Sequence, residues 1–161
     1  GSGCIALSLA LEGGFTEVVG IDRSAEALAL AGENRELVGG RVELVQGDLC
    51  APLGAGIFDA LISNPPYLTA AEYAGLDPSV RDWEPAVALK GGEDGLEATV
   101  RLLDHGWDVL RAGGWLALEV DCARAGSAAH LASALGWEDV RIHLDLFGRE
   151  RYLLARRSNT R

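Results

Sequence analysis

Apolar positions fall in short runs separated by glycine pairs and polar stretches, and their spacing assigns most elements. From Cys4 to Glu12 the residues Ile5, Leu7, Leu9, Ala10 and Leu11 are good helix formers stopped by Gly13-Gly14, which predicts a short buried helix. Val18-Val19-Gly20-Ile21 predicts a fully buried strand ending at Asp22. Ser24 then caps a helix that carries Glu26, Ala27, Leu28 and Leu30 towards Leu37-Val38, where Gly39-Gly40 ends it. Val42 to Val45 is the next strand and closes on Gly47-Asp48, while Phe58 to Ser63 is another and closes on Asn64-Pro65-Pro66-Tyr67.

Between Tyr67 and Asp94 the pattern loses its period, and so long a polar, proline-containing connection in a compact domain reads as a substrate-facing loop. Leu96, Val100, Leu103, Trp107 and Leu110 then recur on one helical stripe, with Gly113-Gly114 as its terminator. Trp115 to Val120 predicts a buried strand, and Ala123 to Leu135 a helix of small residues. Val140 to Leu146 and Arg151 to Ala155 form an antiparallel hairpin across Phe147-Gly148-Arg149. Trp137, beside the start of that hairpin, reads as structural. Strands alternating with helices make this an α/β chain with a largely parallel sheet, helices on both faces and the hairpin at its C-terminal edge. One domain is expected over residues 1–157, followed by a frayed tail at 158–161.

Composition narrows the function. The 161 residues are 48% hydrophobic and 24% charged, the balance of a globular domain able to bury a core. A net charge of -10 argues against broad nucleic-acid binding; outside Arg149 to Arg161, which holds five Arg and one acid, 9 basic residues face 23 acidic ones. No apolar run approaches a membrane span and no signal peptide opens the chain, so a cytoplasmic setting is expected. Cys4, Cys50 and Cys122 are odd in number and far apart, and His105, His130 and His143 are scattered, a pattern of reduced thiols and no metal site. The chain has no Met and opens on Gly1-Ser2-Gly3, as a piece of a longer protein would.

Candidate chemistry gathers at strand ends. Gly1-Ser2-Gly3 running straight into a helix is the second half of a glycine loop, whose backbone N–H groups can approach a ligand. Asp22 follows Gly3 by nineteen residues at the end of the next strand, the offset at which an acid meets ribose hydroxyls in doubly wound folds; it also suits the N-terminus of the helix begun by Ser24. Asp48 is placed either to reach an adenine amino group or simply to form a turn after Gly47. At Asn64-Pro65-Pro66-Tyr67 neither proline donates a backbone hydrogen bond, so the loop presents acceptors and hides donors. The Asn64 side-chain oxygen and the Pro65 carbonyl suit the two N–H bonds of a planar amino or amide group, with Tyr67 packed on its face.

With these residues the chain resembles the class I S-adenosylmethionine-dependent methyltransferases. Glu84-Pro85, Ala88-Leu89, Gly91-Gly92 and Asp94-Gly95-Leu96, in that order after the Asn-Pro-Pro-Tyr motif, are similar to the release-factor glutamine N5-methyltransferases of the HemK/PrmC type, from Gly1 to about Arg157. The resemblance implies a Rossmann-like sheet whose first strand is missing from this chain. It implies S-adenosyl-L-methionine as donor and, as acceptor, the glutamine of the Gly-Gly-Gln motif in class-1 peptide chain release factors. Carried onto this sequence, Gly1, Ser2 and Gly3 would line the methionine end of the donor, Asp22 its ribose, and Asp48 and Leu49 its adenine. Asn64, Pro65, Pro66 and Tyr67 would form the catalytic acceptor loop, with Asn64 also beside the donor. After Glu119 the family commonly has Gly and then Gln, where this chain has Val120-Asp121-Cys122-Ala123.

Two other readings use the same residues. An adenine N6 methyltransferase would present the same pair of N–H bonds to the loop after base flipping. A non-catalytic nucleotide-binding piece would keep the glycine loop and Asp22 but leave Asn64 to Tyr67 without a role.

Overall fold

The computed structural model describes residues 1–83 and 85–160 and comprises two compact units, Gly1–Leu53 and Gly54–Arg161. In the first unit, α1 (Cys4–Leu11) is followed by β1 (Val18–Asp22), α2 (Ala25–Val38) and β2 (Val42–Gln46), and β1 pairs in parallel with β2 so that Asp22 stands opposite Gln46. Ser24 caps α2 as expected: its hydroxyl accepts the Ala27 N–H at 3.1 Å, satisfying one orphan donor of the first turn. Two expectations of burial fail here. Only Leu7 of α1 is buried, and all of β1 is half-buried. Apolar composition marks a segment that can be covered, not the side on which cover exists.

In the second unit the strands are β3 (Phe58–Ser63), β4 (Leu110–Glu119), β5 (Glu138–Leu144) and β6 (Glu150–Arg156), in the sheet order β3-β4-β6-β5. The pairing of β3 with β4 is parallel, and β6 runs antiparallel to both β4 and β5, which gives the expected hairpin with β5 at the edge. Two helices, α6 (Glu97–Val109) and α7 (Ala125–Ala134), supply the main core with Leu102, Leu103, Trp107, Ala128 and Ala132 against Leu116, Leu118 and Leu153. Trp137 is structural: buried, it meets Trp107 edge to face at 5.4 Å and donates its indole N–H to the Leu103 carbonyl at 3.1 Å.

The stretch after Tyr67 is not a plain loop. It folds as three short helices, α3 (Ala70–Ala74), α4 (Pro78–Arg81) and α5 (Ala86–Leu89). Nor does Gly113-Gly114 end α6, which stops at Val109. Gly56 and Ile57 N–H groups take the Asp108 and Val109 carbonyls at 2.8 and 3.1 Å, so the helix end is satisfied from outside. The glycine pair serves β4 instead, exchanging backbone bonds with Arg157. Val100 of the predicted stripe is exposed, whereas Ala98, Thr99 and Leu102 are buried beside Leu103 and Trp107. At the C-terminus Ser158 is buried and its hydroxyl bonds the Thr160 carbonyl.

Candidate functional site

In the first unit the candidate donor residues gather at the carboxyl ends of β1 and β2. Gly3 has φ +79 as the N-cap of α1, and a Cβ there would lie 2.9 Å from the Ala31 Cβ, so glycine is required both for the turn and for the approach of α2. The Asn34 amide donates to the Ser2 carbonyl at 2.9 Å and fixes the turn. Asp22 stands at the end of β1, where its carboxylate accepts the Ser24 N–H at 2.8 Å. The hydrogen bond from the Ser24 N–H favours the charged form of this carboxylate. The Gly47 N–H donates to the Asp22 carbonyl at 3.0 Å, which sets Asp48 and Leu49 beside the same strand ends. Leu49 has φ +52, a left-handed conformation costing a bulky residue about 1–2 kcal/mol, and it marks a point the sequence pattern did not reveal. A helix N-terminus, a glycine turn and an anionic acid at parallel strand ends together suit a nucleoside-containing donor.

In the second unit the Asn-Pro-Pro-Tyr loop leaves β3 directly after Ser63, which pairs with Leu118 on β4. Asn64 is exposed, Pro65 buried, and Pro66 and Tyr67 are half-buried. The Tyr67 hydroxyl donates to Glu119 at 3.2 Å. Burial, followed by the Glu119 charge, pushes the Tyr67 pKa up, so Tyr67 stays protonated and is no general base.

Two glycines hold this loop from behind. A Cβ on Gly91 would lie 2.5 Å from the Pro66 carbonyl oxygen and 2.6 Å from the Tyr67 Cα; one on Gly95 would lie 2.4 Å from the Tyr67 carbonyl oxygen. Leu68 completes the clasp, its N–H bonded to the Leu89 carbonyl and its carbonyl to the Gly91 N–H. The Gly91-Gly92 and Asp94-Gly95 pattern thereby acquires a physical role as the backing of the motif.

Arg124 ties the same region together, and sequence reasoning missed it. Its guanidinium reaches both Glu72 oxygens at 2.8 and 2.7 Å, Asp121 at 3.1 Å and the Asp94 carbonyl at 2.6 Å. Glu72 also closes a capping box with Thr69 at the start of α3. The signature Thr69-x-x-Glu72 is visible in the sequence, but the long-range partner is not. Hydrogen bonds from Arg124, then from Thr69, hold the Glu72 pKa down to about 2 against an ordinary 4.5. A depressed carboxylate stabilises above its unfolded pKa and loses that contribution as pH falls through the folded value. The tie of α3 to Arg124 is therefore expected to hold from neutral pH to about 4.5 and to weaken below it, towards 2. Acid unfolding of wild type and Glu72→Gln should differ above pH 4.5 and converge below it; curves parallel across the whole range would contradict this assignment. Glu84, which with Pro85 carries part of the family resemblance, lies outside the described residues.

Residues 1–75 match the Methyltransferase small domain family. A release factor glutamine methyltransferase of Geobacter sulfurreducens is 42% identical over 139 residues, covering 86% of this chain and 49% of that protein. Another, of Moorella thermoacetica, is 44% identical over 160 residues, covering 98% of this chain and 56% of that protein. Over the part that it matches, the chain is similar to these release factor glutamine methyltransferases along nearly its whole length. It spans about half the length of these release factor glutamine methyltransferases. Among solved structures, a ribosomal protein L11 methylase from Lactobacillus delbrueckii subsp. bulgaricus aligns with TM-score 0.68 at 20% identity, over 99% of this chain and 66% of that one. A methyltransferase from Pyrococcus furiosus aligns at TM-score 0.65 and 22% identity, over 88% and 63%. These likenesses establish the class I methyltransferase fold. Among the described residues no helix is long and apolar enough to cross a membrane.

Proposed function

We propose that the chain is the catalytic part of an enzyme that methylates the side-chain amide nitrogen, N5, of a protein glutamine, the acceptor being the Gly-Gly-Gln glutamine of class-1 release factors. The observation that carries this reading is the Asn64 to Tyr67 loop at the end of β3, with Asn64 exposed and its exit backed by Gly91 and Gly95. The names of the relatives supply the acceptor. S-adenosylmethionine, held by Gly1 to Gly3, Asp22, Asp48 and Leu49, supplies an electrophilic methyl group when bound. A release factor, the substrate named for the relatives, suits a cytoplasmic setting.

An amide nitrogen is a poor nucleophile because its lone pair is delocalised into the carbonyl. The Asn64 side-chain oxygen and the Pro65 carbonyl accept its two N–H bonds, fix its rotation and favour a lone pair directed out of the amide plane. As positive charge grows on nitrogen these two acceptors bind it more strongly than the ground state, the condition for acceleration. Tyr67 remains neutral against Glu119 and offers its ring to the amide face. The proton leaves after transfer, when the nitrogen is acidic, so no strong base is required.

The reading is tested by mass spectrometry of a release factor after incubation with the full-length protein and donor. One added methyl group on the Gly-Gly-Gln glutamine supports it; an unmodified glutamine with donor consumed elsewhere opposes it. On the donor side, Asp22→Asn keeps the acceptor for Ser24 but loses the charge, and is expected to weaken donor binding roughly tenfold in calorimetric titration. An unchanged affinity would reduce Asp22 to a helix-capping acid.

A further inference from the structure

The turn between β5 and β6 carries an exposed apolar tip that neither the fold nor the acceptor grip uses. Leu146 is 102% exposed and Phe147 83% exposed. The tip is nevertheless held firmly. The Asp145 carboxylate accepts the Phe147 and Arg149 N–H groups, both at 2.9 Å, and pairs with the Arg149 Nε at 2.9 Å and, more distantly, the Arg151 Nε at 3.8 Å. The Gly148 N–H closes the turn onto the Asp145 carbonyl at 3.0 Å, with Gly148 at φ +78. Arg149 lies over the Phe147 ring at 5.3 Å. Two large apolar side chains on a turn fixed in this way are pre-organised for a contact and contribute nothing to this unit's own core.

The tip opens onto the acceptor loop. An open surface cavity of about 360 Å³ is lined by Tyr67 and Glu119 together with Leu146, Phe147, Arg149 and Arg151. Its lining charges balance, Glu119 and Asp145 against Arg149 and Arg151, so it makes no demand for a charged ligand. What suits it is an uncharged stretch of polypeptide with small side chains, able to lie close to the walls.

We propose that the Leu146-Phe147 tip and this cavity seat the polypeptide flanking the acceptor glutamine. The inference rests on the function proposed above and names the surface that selects its protein substrate. Phe147 and Leu146 bury against the flanking segment as the glutamine enters beside Tyr67, and the hairpin sets KM for the protein rather than the rate of transfer once it is bound.

The test is steady-state methyl transfer to a purified release factor by the full-length protein, comparing wild type, the double variant Leu146→Ser/Phe147→Ser, and Leu37→Ser. Leu37 is a similarly exposed apolar residue on α2 and serves as control. The double variant is expected to raise KM for the release factor about tenfold with kcat within about a factor of two, while Leu37→Ser leaves KM alone. Substitution at sites this exposed costs little stability, and equal unfolding temperatures would verify it. An unchanged KM in the double variant, or an equal rise in the control, would overturn the inference while leaving glutamine methylation standing. Failure of the wild-type protein to label any release factor would overturn both.

Discussion

Asn64→Ala is expected to lower methyl transfer by about 10²–10³-fold, the usual loss when one pre-organised partner of developing charge is removed. The loss should appear in kcat, because the side chain acts on the nitrogen most strongly as it becomes cationic, and binding of the protein substrate should change less. Asn64 is exposed at the end of β3, outside the buried core, so the fold should survive the change. Near-normal turnover in Asn64→Ala would mean that the prolines alone organise the acceptor, and the role given to the asparagine would be withdrawn.

Gly91→Ala is the second large effect. A methyl group there meets three backbone atoms, the Pro66 carbonyl oxygen at 2.5 Å, the Tyr67 Cα at 2.6 Å and the Gly95 carbonyl oxygen at 3.0 Å. A flexible side chain could turn away from such a contact; backbone cannot, so either the motif or residues 91–95 must move. Displacement of an acceptor by about 1 Å costs on the order of 10²-fold in rate, and overpacking of this kind costs about 1–3 kcal/mol in stability. Gly126→Ala, on α7 with nothing within 4 Å of the new methyl, is the matched control and should leave transfer unchanged. Turnover at the wild-type level in Gly91→Ala would show that the backing of the motif is yielding and that loop position matters little.

Much of this architecture was legible because its signals are local. Ser24 caps α2 where a serine preceded an apolar period, and β3 ends at Ser63 because Pro65 and Pro66, just beyond it, have no N–H to donate to a ladder. The three helices between Tyr67 and Asp94 escaped because elements of four or five residues show no 3.6 period; only their caps announce them, Thr69 with Glu72 and Asp77 before Pro78. The end of α6 was misplaced because two N–H groups from Gly56 and Ile57, far away in sequence, satisfy its carbonyls before the glycine pair is reached.

The candidate site divides along the same line. Asn64 to Tyr67, Gly3 and Asp22 stand out because each needs a particular residue type at a strand end or turn. Arg124, Glu119 and the packing of Gly91 against Pro66 are contacts between segments distant in sequence, and no spacing rule encodes them. Arg124 follows Val120-Asp121-Cys122-Ala123 directly, and its bonds to Glu72, Asp121 and Asp94 give that strand end a structural role.

The most direct test of the central claim is transfer of label from radiolabelled S-adenosylmethionine by the full-length protein to a release factor, to the same factor with its Gly-Gly-Gln glutamine changed to alanine, and in parallel to unmethylated DNA. Label on the first acceptor alone, lost in Asn64→Ala, is the result expected of a protein glutamine methyltransferase. Label on DNA with none on the release factor would contradict it and assign the Asn-Pro-Pro-Tyr loop to adenine.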